Sequence, residues 1–171
     1  ERRLAAQIEP ARVPGHVGVI LDGNRRWART KGFGTAQGHK RGADKIAEFL
    51  GWAQVAGVRM VTLWLLSTDN LSRDPSELAP LLDIIADAID ELAAAGRWRL
   101  RLVGAVDLLP APVAERLRTA VASTASAAST ATASAASVQA PRGAEDGARG
   151  ADGPEDGDTR MHVNIAVGYG G

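Results

Sequence analysis

Asp22, Gly23 and Asn24, followed at once by Arg25 and Arg26, are the residues whose types and order could do chemistry. They come directly after a short apolar run, Val17 to Leu21, that reads as a buried β-strand. Gly23 lets the chain turn tightly and lets a ligand approach the backbone. Asn24 suits the N-cap of a helix starting at Arg25. The exposed N–H groups of such a helix, with two guanidinium groups beside them, form a site for an anion such as a diphosphate. Asp22 falls at the carboxyl end of the strand, where open α/β sheets place their ligands. A carboxylate next to a diphosphate is what Mg²⁺ requires, because that ion takes one or two carboxylates together with phosphate oxygens.

The elements that must hold these residues follow from periodicity. Gly38 to Ala56 carries Ala43, Ile46, Leu50 and Ala53 on one helical face, and Gly57 ends it. Val58 to Leu66 is a second apolar strand, so strand, helix and strand form a right-handed βαβ unit. Asp74-Pro75-Ser76-Glu77 starts another helix, with Asp74 as N-cap, Pro75 in the first turn and Glu77 as reciprocal cap. Its apolar face is Leu78, Leu81, Leu82, Ile85, Ile89 and Leu92, and Pro80 is expected to kink it. Arg97 to Val103 alternates arginines with apolar residues, as a strand with one wet face does. Pro112 to Ala122 reads as a helix and His162 to Val167 as a last strand, followed by a tight turn.

Residues 123–160 use mostly Ala, Ser and Thr and then Gly, Asp and Glu, and read as a flexible insert whose Ala-rich start could extend the preceding helix. The expected organisation is therefore a lead-in over 1–15, one domain made of 16–122 and 161–171, and the insert between them. The expected fold class is α/β, a central parallel sheet with helices on both faces.

The 171 residues carry 20 basic and 20 acidic side chains and no cysteine. That excludes disulfides and thiolate metal sites and fits a reducing, cytoplasmic setting. The neutral balance argues against a nucleic-acid partner. No apolar run approaches the roughly 18 residues of a membrane span, which leaves contact with a membrane surface open.

Four stretches together resemble the cis-prenyltransferases, the undecaprenyl diphosphate synthase family. The first is His16-x-x-x-Ile20-x-Asp22-Gly23-Asn24-x-Arg26-Trp27-Ala28. Gly38-His39-Lys40-x-Gly42-Ala43 is similar to the second motif, with Thr35 where the family has a basic residue and Arg29 or Lys31 as substitutes. Ser67, Asn70 and Arg73 match the Ser-x-Glu-Asn-Trp-x-Arg motif, in which Asp69 and Leu71 replace Glu and Trp as in the short-chain branch. Val163-Asn164-Ile165-Ala166-x-x-Tyr169-Gly170-Gly171 resembles the fourth. The family's final Arg-x-x-Gly-Glu-x-Arg-x-Ser motif has no counterpart before Gly171.

The resemblance implies an undecaprenyl diphosphate synthase-like fold, truncated at its C-terminal end. It implies condensation of isopentenyl diphosphate with an allylic diphosphate such as geranyl or farnesyl diphosphate, forming a cis double bond. Asp22 would hold Mg²⁺, and Gly23, Asn24, Arg25, Arg26, His39 and Arg73 would cradle the diphosphate. Asn24, Ser67 and Asn70 are the candidates to help position the group that removes a proton. Trp27 and the helix after Asp74 would line an apolar tunnel, and a bulky Leu65 beside Leu66 would keep the product short. The full-length form would be a homodimer, in contact with membranes through its lipid product. The alternative is a truncated or non-catalytic subunit whose partner supplies the last motif.

Overall fold

The computed structural model describes residues 7–132 and 158–170, with the side chains of Arg25 and of residues 126–132 outside the description. In chain order the elements are β1 (His16–Ile20), α1 (Asn24–Thr30), α2 (Thr35–Ala56), β2 (Met60–Leu66), α3 (Pro75–Ala94), β3 (Arg99–Val103), α4 (Ala111–Thr132) and β4 (His162–Val167). Short 3₁₀ turns stand at Pro10–Arg12, Asp69–Ser72 and Val106–Leu108. The four strands are all parallel, in the order β1-β2-β4-β3.

Local chemistry sets the element ends. Gly57 closes α2 at φ 92°, and Val58 N–H returns to the Ala53 carbonyl at 3.0 Å. Asp74 caps α3 by accepting Ser76 N–H at 2.8 Å. The Glu77 carboxylate lies near Arg73, 3.6 Å away. Pro80 does not end α3. Its missing donor would have served the exposed Ser76 carbonyl one turn earlier, where water can take over.

The core is built on one face of the sheet. Val61 and Leu63 of β2, Val163 and Ile165 of β4 and Leu100 of β3 are buried in register with one another. They share one apolar cluster with Ile46, Leu50 and Ala53 of α2, with Leu81, Leu82, Ile85, Ile89 and Leu92 of α3, and with Leu117 of α4. Each fully buried aliphatic side chain contributes roughly 1.5–3 kcal/mol by leaving water.

The α/β class and the parallel sheet are as the sequence predicts. Among the described residues, all three long helices contribute to this cluster. The other face carries His16, Gly18, Thr62, Trp64, Asn164 and Arg101, which are half-buried or exposed. The expected burial of Val17 to Leu21 needs correction. β1 is an edge strand in which exposed and half-buried positions alternate, and Ile20 is 65% exposed. An apolar run alone does not distinguish an edge strand from a central one.

The segment read as an insert is narrower than 123–160. Residues 123–132 continue α4. Alanine is the best helix former, and Ser and Thr hydroxyls can bond back into the helix. Thr124 does so to the Val121 carbonyl at 2.7 Å and accepts Leu100 N–H at 3.1 Å, tying α4 to β3. Residues 133–157 lie outside the described residues. At the far end Asp158 accepts from Arg160 Nη2 at 2.7 Å and faces Arg99 Nη1 at 3.7 Å. Arg160 Nη2 also reaches the Thr124 carbonyl at 2.7 Å. The Arg160 hydrogen bonds hold the buried Asp158 carboxyl down at about 2, against the opposing effect of burial. This ion cluster fixes the entry to β4 against the C-terminal part of α4.

Candidate active site

A cleft of about 860 Å³ opens where β1 and β2 end. Strand ends of a parallel sheet are where such folds bind ligands, because the connecting loops diverge there. Its polar lining includes Asp22, Gly23 and Asn24 after β1, Arg26 and Arg29 on α1, His39 on α2, and Ser67, Asn70 and Arg73 after β2. Its apolar lining includes Leu65 and Leu66 of β2, Ile46 of α2, and Leu81, Ile84, Ile85 and Ala88 of α3. A β-bulge between Trp64 and Leu66 breaks the side-chain alternation at the end of β2, and both Leu65 and Leu66 line the cleft.

The first motif is built around Gly23, at φ 86°, a conformation that side chains with a Cβ rarely adopt. Asp22 Oδ1 accepts Gly23 N–H at 2.6 Å, which orients the carboxylate at the end of β1. Asn24 does not cap α1, because the helix begins at Asn24 itself and no side chain caps it. Its Nδ2 instead donates to the Leu21 carbonyl at 3.4 Å, folding the carboxamide back toward the strand end. α1 is only seven residues long, so the side-chain cations carry the positive character of the rim. Arg26 and Arg29 line the cleft, one helical turn apart, while the Arg25 side chain lies outside the described ones. Of the two proposed substitutes for a base at Thr35, Arg29 lines the cleft together with Thr35 itself, and Lys31 does not.

Trp27 is the expected tunnel residue that the structure places elsewhere. It is 39% exposed, is absent from the cleft lining and packs on Phe33 at a ring-centroid distance of 5.8 Å. The i, i+1 relation to Arg26 turns the two side chains to different faces of α1. Ser67 and Asn70 are in the cleft wall but also bond to each other: Ser67 Oγ accepts Asn70 N–H at 3.3 Å and Asn70 Nδ2 at 2.7 Å. The loop is therefore self-capped as well as cleft-lining. It is braced from β4, since Thr68 N–H donates to the Gly170 carbonyl and Tyr169 N–H to the Leu66 carbonyl, both at 3.4 Å.

Arg73 is half-buried, with Nη1 3.6 Å from Glu77 Oε1. Phe33, Trp64 and Glu77 are further lining residues that sequence reasoning did not assign to the site. Glu77 was readable as a cap, and only the turn of α3 brings it under Arg73. Arg29 is one of the two substitutes that the resemblance suggests for a base at Thr35.

Among the described residues no three His, Cys, Asp or Glu side chains gather into a metal cage. The cleft lining holds two carboxylates, Asp22 and Glu77, and Glu77 faces Arg73 at 3.6 Å. That donor set does not suit an all-protein site, but it fits Mg²⁺ delivered with a diphosphate, whose oxygens complete the coordination. Among the described residues no helix is long and apolar enough to cross a membrane.

Comparison with known proteins gives a consistent result. Residues 20–140 match the family model Prenyltransf, described as Putative undecaprenyl diphosphate synthase. Over 124 residues the chain is 53% identical to isoprenyl transferase 1 of Streptomyces avermitilis, covering 72% of this chain and 48% of that protein. It is 52% identical over 125 residues to (2Z,6E)-farnesyl diphosphate synthase of Thermobifida fusca, covering 72% and 49%. A short-chain Z-isoprenyl diphosphate synthase of Mycobacterium leprae is 44% identical over 171 residues, covering 99% of this chain and 53% of that protein. The chain thus spans about half the length of the curated relatives it matches. In fold it is similar to lavandulyl diphosphate synthase from Lavandula x intermedia, solved with dimethylallyl diphosphate, at a TM-score of 0.69 and 23% identity over 93% of this chain and 56% of that one. On the match over residues 20–140, the chain belongs to the undecaprenyl diphosphate synthase family.

Proposed function

We propose that the protein is a cis-prenyltransferase that condenses isopentenyl diphosphate with an allylic diphosphate to give a short cis-prenyl diphosphate. The observation that carries this reading is the mixed lining of one cleft, which brings the guanidinium-bearing Arg26, Arg29 and Arg73 together with the aliphatic Leu65, Leu66, Leu81, Ile84 and Ile85. A diphosphate with a hydrocarbon tail is the ligand class that uses both sets of residues. The names of the relatives, isoprenyl transferase and (2Z,6E)-farnesyl diphosphate synthase, support the same chemistry.

In this reading Arg26, Arg29 and Arg73 take the phosphate oxygens, and charge stabilisation there lowers the barrier to departure of the diphosphate. Mg²⁺ bound through Asp22 would add charge on the same group. His39 and the Gly23 backbone border the phosphate position, while Asn24, Ser67 and Asn70 offer polar atoms to the incoming isopentenyl unit. Leu65 and Leu66 bound the tail and limit its length. The homodimer and the contact of a lipid product with membranes belong to the same proposal and rest on the resemblance.

Labelled isopentenyl diphosphate tests it, supplied with Mg²⁺ and either geranyl or farnesyl diphosphate as starter. Incorporation into extractable lipid of short chain length is expected. A folded chain that neither binds the allylic diphosphate nor incorporates the label overturns the reading.

A further inference from the structure

The geometry points to Gly42, on α2, as the residue that positions the Asn24 carboxamide at the cleft. A Cβ at Gly42 would stand 2.5 Å from Asn24 Nδ2, 2.7 Å from Oδ1 and 2.8 Å from Cγ. The carboxamide therefore rests flat on the α carbon of Gly42, in the volume a side chain would fill. Its Nδ2 donates to the Leu21 carbonyl at 3.4 Å from the other side. Packed between a glycine and a strand end, the side chain keeps one rotamer out of several that an exposed asparagine would sample.

Gly38, one turn earlier on α2, does different work. A Cβ there would meet the Asn24 backbone oxygen at 2.5 Å and Ala28 Cβ at 2.8 Å. Gly38 sets how closely α1 seats on α2, and its clash would fall on the backbone. At Gly42 the three nearest atoms all belong to the side chain of a cleft residue. To restore ordinary contact at 3.4 Å the Asn24 amide nitrogen must move by about 0.9 Å in Gly42→Ala, while α1 can stay in place. Misplacement of a positioning group by that amount lowers efficiency by roughly ten- to a hundredfold.

The inference rests on the proposed function only for the consequence in catalysis, and the test separates the two. The Asn24 side-chain amide resonances, read by NMR in the 171-residue chain, report the carboxamide position without any ligand. Gly42→Ala should shift them, and thermal melting should show a smaller loss of stability than Gly38→Ala. Asn24→Ser, which shortens the side chain, should restore the stability of Gly42→Ala. Affinity for inorganic diphosphate and geranyl diphosphate, measured on the same proteins, should fall in Gly42→Ala and stay low in the double variant. A merely structural Gly42 would leave the diphosphate affinity of Gly42→Ala at the parent value at temperatures where the variant stays folded. Unshifted Asn24 resonances in Gly42→Ala, or equal stability losses at Gly38 and Gly42, overturn the inference. If the parent chain binds neither diphosphate, the function fails, while the resonances and the stability comparison still decide the role of Gly42.

Discussion

Asp158→Asn should weaken the fold through a mechanism that pH can isolate. In the folded chain the Asp158 carboxyl is held down from 3.8 to about 2, chiefly by its hydrogen bonds from Arg160, with Arg99 adding to the effect. Its side chain is only 4% exposed, so solvent screens the pair weakly. Between these two values the unfolded chain binds the proton more tightly than the folded one. The carboxylate thus stabilises the fold fully above about pH 4, and that contribution disappears as pH falls through about 2. At 1.36 kcal/mol per pH unit, the difference comes to about 2 kcal/mol at neutral pH. It falls to about 1 kcal/mol at pH 3 and to below about 0.5 kcal/mol at pH 2. The assay is urea unfolding of the parent chain and Asp158→Asn at pH 7, 4, 3 and 2, compared pairwise so that all other carboxylates cancel. The variant should be less stable by about 2 kcal/mol at pH 7, with the gap closing on acidification. A gap that stays constant down to pH 2, or none at pH 7, would refute the argument that Asp158 locks β4 to α4 as an ion.

Other perturbations address the core and the cleft. Gly38→Ala should cost about 1–3 kcal/mol in chemical unfolding, since backbone oxygen and Ala28 Cβ cannot both move away from the new methyl. Leu50→Ala, at a fully buried position under the sheet, should cost about 2–5 kcal/mol. Arg73→Gln should lower affinity for inorganic diphosphate by roughly tenfold or more, as expected for loss of a charge-assisted hydrogen bond, with secondary structure by circular dichroism unchanged. Leu65→Ala in a protein that incorporates isopentenyl diphosphate should lengthen the extractable product, and unchanged chain length would remove Leu65 from the tail boundary.

Much of this was legible in the residues because local chemistry and tertiary packing agree there. The Asp74-Pro75 start of α3, the Gly57 stop of α2 and the stripe Ile46, Leu50, Ala53 each have a cause within a few positions, and the structure uses them as read. Ser67, Asn70, Arg73, Asp22 and His39 also converge on one cleft, as their place at strand ends and on α2 implied. The misreadings occur where a residue's environment is set from far along the chain. Asn24 has good N-cap chemistry, but Gly42, eighteen positions on, offers a flat surface that takes the carboxamide instead. Trp27 is apolar and sits in the richest motif, yet one step around α1 leaves it out of the lining and packed against Phe33, which does line the cleft. Strand order is likewise invisible to periodicity, so the edge position of β1 and the exposure of Ile20 could not be read from an apolar run. Composition marks 123–160 as an insert, but it does not show that Thr124 and Asp158, near its two ends, are buried.

One cleft should hold both the diphosphate and the hydrocarbon tail of an allylic substrate. Isothermal titration of the 171-residue chain with geranyl diphosphate, geraniol and inorganic diphosphate, each with and without Mg²⁺, tests it most directly. Geranyl diphosphate should bind at least about tenfold more tightly than either fragment, because burying its tail adds apolar transfer energy to the contacts of the diphosphate. Mg²⁺ should strengthen both diphosphate ligands and leave geraniol unchanged. Equal affinity for geranyl diphosphate and inorganic diphosphate would mean that the aliphatic lining takes no tail and that the cleft is not a prenyl diphosphate site.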